Sequence, residues 1–222
     1  MKHIKHIIAL SCLLLALSVP AHAIVSPFIR AGVDFSRLNA IDFVKDPTVK
    51  WQDKLKGWDV GYFGEVGIKF FGSHTLAAEI GYMKSTTSVD TTTPGTGGVE
   101  SREQVPILLN YRNSFSVGPA SLFLGVSAGM MSDRASWKQD IGSATPDWNT
   151  FKSGNWVGLY GVSAGLGFKF SKHWSLDLGV RALVVNGKEH TDTLPNTGKP
   201  YTIGKNEFYF RPDVRLALSL NW

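Results

Sequence analysis

Cysteine is almost absent from this chain, since Cys12 is the single one among 222 residues. The fold therefore cannot depend on disulfides, and no thiol chemistry is available to the residues that follow Cys12. Charged residues are also scarce, at 18% of the chain against roughly 25% in an average globular protein. The formal net charge of +5 is small and spread along the sequence. A nucleic-acid partner is not expected from such a balance.

Long apolar runs are missing beyond the N-terminus, which excludes a bundle of transmembrane helices. The one apolar run, Ile7–Val19, follows Lys2 and Lys5 and precedes the small residues Ala21 and Ala23. This order of basic, apolar and small residues is typical of a secretory signal peptide. We therefore predict a cleaved signal over residues 1–23 and a separate domain over residues 24–222.

The remaining chain is organised by a period of two. From Trp58 to Phe70, every second residue is apolar or Gly, and the residues between carry Asp, Glu and Lys. A β-strand places such alternating residues on opposite faces, whereas a helix scatters them around its circumference. Eight segments show this pattern, and their apolar faces contain no charged residue. The segments are Ile29–Phe35, Trp58–Phe70, Leu76–Tyr82, Val105–Tyr111, Leu122–Met130, Trp156–Phe170, Trp174–Ala182 and Phe208–Trp222.

Short and long connections alternate between these segments. The short ones lie around Gly72 and Ser73, over Asn113–Gly118 and over Ser171–His173. The long ones are Leu38–Lys56, Ser85–Arg102, Ser132–Ser153 and Val184–Glu207. Short turns at one end and long loops at the other predict an up-and-down antiparallel meander with an even number of strands.

Two kinds of barrel fit strands with one apolar and one charged face. A soluble barrel, such as a lipocalin, turns the apolar face inward, whereas a membrane barrel turns it toward lipid. Aromatic residues cluster toward both ends of the apolar faces, and the polar faces are rich in Gly and Ser. Together with the signal peptide, these features favour the membrane form. The predicted fold is an all-β, eight-stranded antiparallel up-and-down transmembrane β-barrel.

The charged faces then line a narrow lumen. An eight-stranded barrel leaves an interior that side chains can fill, and an unpaired charge there would be costly. We therefore expect the charges near mid-height to pair across the lumen and to plug it. A water-filled pore lined by the same charges is the alternative. The predicted network consists of Asp34, Glu65, Glu79, Arg181 and Arg215.

Several segments resemble the small eight-stranded outer-membrane barrels of Gram-negative bacteria. The residues that carry the resemblance are Leu76–Tyr82, Val105–Tyr111 and Ser163–Phe168. They are similar to the transmembrane domain of outer membrane protein A, its X-type relative and the opacity-type outer membrane protein beta-barrel family. Trp222, at the end of an apolar alternation, resembles the C-terminal aromatic signal that the barrel-assembly machinery reads. The resemblance implies a cell outer-membrane location with outer-membrane lipid and lipopolysaccharide as partners.

Three tryptophans in the long connections are candidate contact residues. Trp51, Trp137 and Trp148 either fold back onto the barrel rim or contact a host or environmental ligand, because an exposed Trp is costly unless it packs or binds. We expect no metal site, no cofactor and no catalytic residues. The function predicted is a non-enzymatic structural or surface-interaction protein, adhesin-like, acting through four long extracellular loops. A narrow porin-like channel is the alternative.

A lipid-modifying hydrolase is the second alternative, because His173 and Ser175 have the His-x-Ser spacing of an outer-membrane lipid A deacylase. Glu189 follows at a distance that would allow a third member. The alternation places His173 at a short turn and Glu189 in a long loop, at opposite ends of the barrel. The ordinary interpretation of His173 is a residue that caps a strand at a turn.

Overall fold

The computed structural model describes residues 25–37, 58–89, 98–140, 148–187, 190–193, 200–203 and 208–222. The proposed signal peptide, residues 1–23, and the first long connection lie outside these ranges. No helix within the described ranges is long and apolar enough to cross a membrane.

Eight antiparallel strands close into a barrel. Each barrel strand pairs with the next one along the chain, and the last pairs with the first. Two further strands, β8 and β9, form a separate hairpin between β7 and β10. The predicted all-β, eight-stranded up-and-down topology is confirmed. The strands are β1 Ser26–Arg37, β2 Trp58–Phe70, β3 His74–Val89, β4 Gly98–Val117, β5 Ala120–Asp140, β6 Trp148–Lys169, β7 Trp174–Asn186, β8 His190–Thr193, β9 Pro200–Ile203 and β10 Phe208–Asn221.

The two faces of the strands point as the membrane interpretation requires. Val66 on the apolar face is 61% exposed, whereas Arg181 on the charged face is 2% exposed. A soluble protein does the reverse, since it buries apolar side chains and exposes charged ones. The barrel is therefore of the transmembrane type, and the lipocalin-like alternative is wrong.

The turns at one end are tight. Phe71 and Gly72, between β2 and β3, both have positive φ angles of 50° and 73°, and Gly118, between β4 and β5, has a φ of 61°. The predicted turn over Asn113–Gly118 is too long, because β4 continues to Val117 and only two residues separate it from β5. Ser and Asn make this segment look like a turn, but Phe115 and Val117 continue the outward alternation.

Two of the predicted long connections are mostly strand. β3 runs on to Val89 and β4 begins at Gly98, while β5 runs on to Asp140 and β6 begins at Trp148. The segments Ser85–Arg102 and Ser132–Ser153 were expected to be loops because they lack an apolar face. A strand that rises out of lipid has water on its outer face, so the alternation ends although the backbone ladder continues.

Proline interrupts the ladder at one place. The pairing of β3 with β4 passes from Ile80–Ile107 directly to Met83–Gln104, and Pro106, which has no N–H to donate, lies in the gap. Pro212 is accommodated differently. It lies just beyond the last residue pair of β1 with β10, which joins Ser36 to Asp213.

Glycines inside the barrel make room for a phenyl ring. Phe123 is buried, and its Cζ lies 2.5 Å from the position that a Cβ on Gly165 would occupy and 2.9 Å from that of a Cβ on Gly179. Any side chain at these two positions would overlap the ring. Small residues on β6 and β7 are therefore needed to pack Phe123 across the lumen.

We expect Gly165→Ala to destabilise the barrel by about 1–3 kcal/mol, the usual effect of an extra methyl group in a packed interior. Gly64→Ala is the matched control, because a Cβ on Gly64 meets no atom within 4 Å on the lipid face. The measurement is the unfolding midpoint in detergent, read from heat-modifiable gel migration. Equal midpoints for the two variants would contradict this packing.

Candidate functional site: the charged lumen

Arg181 on β7 is the centre of the lumen. Its Nη1 lies 2.8 Å from Glu79 Oε1, and its Nη2 lies 2.7 Å from Asp213 Oδ2 and 3.4 Å from Asp34 Oδ2. Its Nε also donates a hydrogen bond to Asp213 Oδ2, at 2.9 Å. One fully buried guanidinium thus joins carboxylates from three other strands, β1, β3 and β10.

A second arginine binds two of the same carboxylates. Arg215 Nε lies 2.6 Å from Asp34 Oδ1, and Arg215 Nη2 lies 3.1 Å from Glu79 Oε2. Its guanidinium also stacks on the ring of Phe63, 3.7 Å from the ring centroid. Asp34 and Glu79 therefore bridge Arg181 and Arg215 into one network, and the aromatic face covers the side of Arg215 that the carboxylates leave open.

Arg211 extends this network toward the loop end. Its Nε lies 3.0 Å from Asp213 Oδ1, and its Nη1 donates to Gln104 Oε1 at 3.2 Å. Ser36 donates to Asp213 and accepts from Arg211. With Arg211 included, three arginines face the three carboxylates of Asp34, Glu79 and Asp213. We call these six residues the central network; their formal charges cancel.

A second ionic cluster lies nearer the short turns. Arg30 Nη1 is 2.9 Å from Glu65 Oε2, and Arg30 Nη2 is 3.1 Å from Asp177 Oδ2. Arg112 Nη1 reaches the same Asp177 oxygen at 2.9 Å. Arg112 stacks on Phe123 with 4.0 Å to the ring centroid. We call Arg30, Glu65, Arg112 and Asp177 the lower cluster.

The sequence-predicted residues divide between the two groups. Asp34, Glu79, Arg181 and Arg215 meet in the central network, whereas Glu65 is bonded to Arg30 in the lower cluster. Glu65 and Glu79 are direct neighbours across β2 and β3, and these two carboxylates pair with different arginines. Sequence reasoning missed five members: Arg30, Arg112, Asp177, Arg211 and Asp213. Alternation puts all five on the inward face, but their heights depend on the strand register.

The lumen also contains an apolar cluster that the sequence did not predict. Along β7, Asp177 of the lower cluster comes first, then Arg181, then the buried Val185. Val185 packs in a cluster of buried side chains from neighbouring strands, with Tyr209 against its edge. The other members are Leu108, Met131, Val157 and Leu159. On the strand faces these residues read as interruptions of a polar pattern, so nothing in the alternation marks them as a group.

A third set of polar contacts adjoins the central network through Gln104. Arg102 Nε donates to Asp133 Oδ1 at 2.8 Å, and Arg102 Nη2 donates to the Tyr209 hydroxyl at 3.2 Å. Gln104 Nε2 also donates to Asp133 Oδ1, at 3.3 Å. The lumen therefore holds two ionic groups, a further ion pair that Gln104 joins to the central network, and an apolar cluster beside them.

His173, the hydrolase candidate, is part of a structural contact at the turn end. Its Nδ1 lies 2.9 Å from the carbonyl oxygen of Asn221, and its own carbonyl oxygen accepts from the Asn221 N–H at 2.8 Å. Trp222 N–H donates to the Pro27 carbonyl at 3.2 Å, beside this contact. His173 thus ties the turn before β7 to the end of β10. Glu189 lies outside the described residues.

The three candidate contact tryptophans are only partly placed. Trp51 lies outside the described residues. Trp137 is a β5 residue paired with Phe151, and Trp148 is the first residue of β6, paired with Asp140. Their expected position in a loop is therefore wrong, because strand pairing continues past the lipid-facing part of the wall. A ligand contact by these tryptophans stays a prediction.

Several solved structures have a similar course of chain. Neisserial surface protein A is 12% identical, with a TM-score of 0.45, over 90% of this chain and 99% of that one. Ail, the attachment invasion locus protein of Yersinia pestis, is 11% identical, with a TM-score of 0.49, over 89% and 98%. A more distant one is the outer membrane protease OmpT from Escherichia coli, at 8% identity and a TM-score of 0.35, over 90% and 96%.

Sequence comparison supplies the family. No curated protein sequence matches the chain. Residues 9–209, most of its length, match the model of the outer membrane protein beta-barrel domain. The match agrees with the closed barrel, its apolar outer wall and its charged interior. The chain belongs to the outer membrane protein beta-barrel domain family and is an integral protein of the bacterial outer membrane.

Proposed function

We propose that this protein is a non-enzymatic, non-conducting component of the outer membrane that acts through its loop end as a structural and surface-interaction protein. The observation that carries the proposal is the filled lumen. Two ionic groups, a further ion pair and an apolar cluster occupy the interior of the barrel. A protein that passes solutes has no need of an interior filled in this way.

The electrostatics of the central network support a plug. The side chains of Arg181, Glu79 and Asp213 have no exposed surface. An ion that crossed at this height would have to separate charges that have no water to replace their partners, at a cost of several kcal/mol. Because the formal charges of the network cancel, it also offers no excess charge to attract a permeating ion.

The plug predicts the electrical behaviour of the purified protein. In planar lipid bilayers we expect no steady single-channel openings, because ionic groups and an apolar cluster fill the same narrow lumen. Insertion is verified in parallel by heat-modifiable migration of protein recovered from the same vesicles. Reproducible openings of one size would refute the plug and establish the porin-like alternative.

The central network also predicts a large loss of stability when its centre is removed. Arg181→Met keeps an unbranched side chain but leaves three buried carboxylates without their shared partner, which we expect to cost about 3–5 kcal/mol. The matched control is Lys172→Met, since Lys172 is exposed in the turn before β7. Unfolding midpoints in detergent give the comparison. If the unfolding midpoint of Arg181→Met differed from that of the wild type no more than the midpoint of Lys172→Met does, the network would not be important for stability.

The surface-interaction part of the proposal is supported by the shape of the loop end. Strands β4, β5 and β6 have 20, 21 and 22 residues, against 12 in β1 and 13 in β2. The hairpins β3–β4 and β5–β6 therefore extend farther than β1 and β2 at the loop end. Such paired strands hold a surface in place outside the membrane, whereas unpaired loops would not.

Shortening one hairpin tests this role. The variant removes residues 87–100 and joins Thr86 to Ser101, which are register partners, through Asn-Gly. We expect unchanged heat-modifiable migration but reduced adherence of expressing cells to polystyrene and to epithelial monolayers. Cells expressing Lys172→Met serve as the control for expression at equal level. Unchanged adherence on both surfaces would contradict the surface-interaction role and leave the plug unaffected.

The hydrolase alternative has no support in the described residues. Hydrolysis of an outer-leaflet lipid needs its nucleophile and base at the loop end, whereas His173 is bonded to Asn221 at the turn end. We assign Trp222, which is 56% exposed on the apolar face, to recognition by the barrel-assembly machinery during insertion. Outer-membrane lipid, lipopolysaccharide and a ligand at the hairpins complete the set of proposed partners.

A further inference from the structure

Aromatic side chains mark the upper edge of the lipid-facing wall. Tyr62 on β2 pairs with Tyr82 on β3, and both are exposed on the outer face. Farther round the barrel, Trp156 on β6 pairs with Ser132 on β5 and is 52% exposed. Tyr and Trp concentrate at the level of lipid headgroups, where one end of the ring contacts apolar chains and the other contacts water. These residues therefore locate the outer membrane interface on β2–β6.

The next outward-facing row carries two basic side chains with one carboxylate between them. Two residues beyond Tyr82 and Trp156, the register joins Lys84 to Glu103, Glu103 to Arg134, and Arg134 to Gly154. Lys84 and Arg134 are exposed on the outer face. We call these four residues the basic row. Two residues of strand advance by about 6.8 Å, so the row lies immediately above the aromatic level.

Glycine gives Arg134 a fixed place in this row. A Cβ built on Gly154 would lie 3.2 Å from Arg134 Cγ, which is tighter than ordinary van der Waals contact. The aliphatic stem of Arg134 therefore lies against the bare backbone of the neighbouring strand. A side chain held along the barrel wall keeps its guanidinium at the height of the headgroups and loses less entropy on binding.

From this placement we infer that the basic row binds the phosphate groups of the phosphorylated glycolipid, lipopolysaccharide, in the outer leaflet. Guanidinium and ammonium groups at headgroup height are complementary in charge to lipid phosphates, and Arg recognises phosphate by paired hydrogen bonds. The inference depends on the outer-membrane location alone. It requires neither the plug nor the adhesive role, and their failure would leave it standing.

Glu103 makes the inference sharp, because it lies between the two basic residues. It is the register partner of both Lys84 and Arg134, so it offsets part of the positive charge of the row. If phosphate binds here, removing this carboxylate strengthens binding. If the row merely forms exposed ion pairs, removing the Glu103 carboxylate has no effect on lipid binding and little effect on stability.

The test measures the affinity of the purified full-length barrel for two probes in detergent micelles: lipid A with two phosphates and the same lipid without phosphate. For the phosphorylated probe, we expect the double variant Lys84→Gln, Arg134→Gln to bind about twentyfold more weakly, at roughly fivefold for each charge near a lipid surface. The matched control removes the same charge at the turn end, by Lys169→Gln with Lys172→Gln, both exposed. It should leave the affinity unchanged.

A second variant decides the matter if the double variant folds poorly. Glu103→Gln changes no volume, and we expect it to bind the phosphorylated probe about fivefold more tightly. Equal affinity for the two probes, equal weakening by the turn-end control, or no tightening by Glu103→Gln would each overturn the inference. Weak binding of every variant to both probes would also overturn it, while leaving conductance and adherence results untouched.

Discussion

The pairing of β1 with β10 is the constraint on which the rest of the structure depends. In hydrocarbon no water can satisfy a free strand edge, so the sheet must close on itself. This pairing runs from Phe28 opposite Asn221 to Ser36 opposite Asp213. At the turn end, the carbonyl of His173 accepts a hydrogen bond from Asn221 N–H and holds the end of β10 in place. Closure at eight strands fixes the width of the lumen, and that width obliges every inward side chain to meet others across it.

The contents of the lumen follow from closure and from the cost of buried charge. Each arginine near the middle is met by a carboxylate, and Arg30, Arg112 and Arg215 also lie over the phenyl rings of Phe28, Phe123 and Phe63. The rings exclude water from the faces of the guanidinium planes, while the carboxylates bind their edges. Charged side chains and phenyl rings thus fill the lumen together. This explains why aromatic residues interrupt the polar, inward faces of the strands.

Alternation predicted which way each strand residue points, because the period of two follows from backbone geometry alone. It could not predict which inward residues share a height, because tilt and register decide this, and neither is written in a single strand. In the structure, Arg181 pairs with Glu79 and Asp213, whereas Glu65 pairs with Arg30. The apolar cluster around Met131 does not follow from alternation for the same reason, since its members come from four different strands.

The point at which alternation fades is itself informative about the membrane. Along β5, the outward residues Leu124, Val126, Ala128 and Met130 are followed by Ser132 and Arg134. The ladder nevertheless continues unbroken to Gln139 with β4 and to Asp140 with β6. The backbone of a continuous strand gives no reason for its outward side chains to change from apolar to polar. The change therefore marks the passage of the strand from lipid into water. The same change on β3 occurs between Tyr82 and Lys84. Sequence periodicity therefore traces the lipid boundary on the barrel wall, and the residue at which it fades is not the end of a strand.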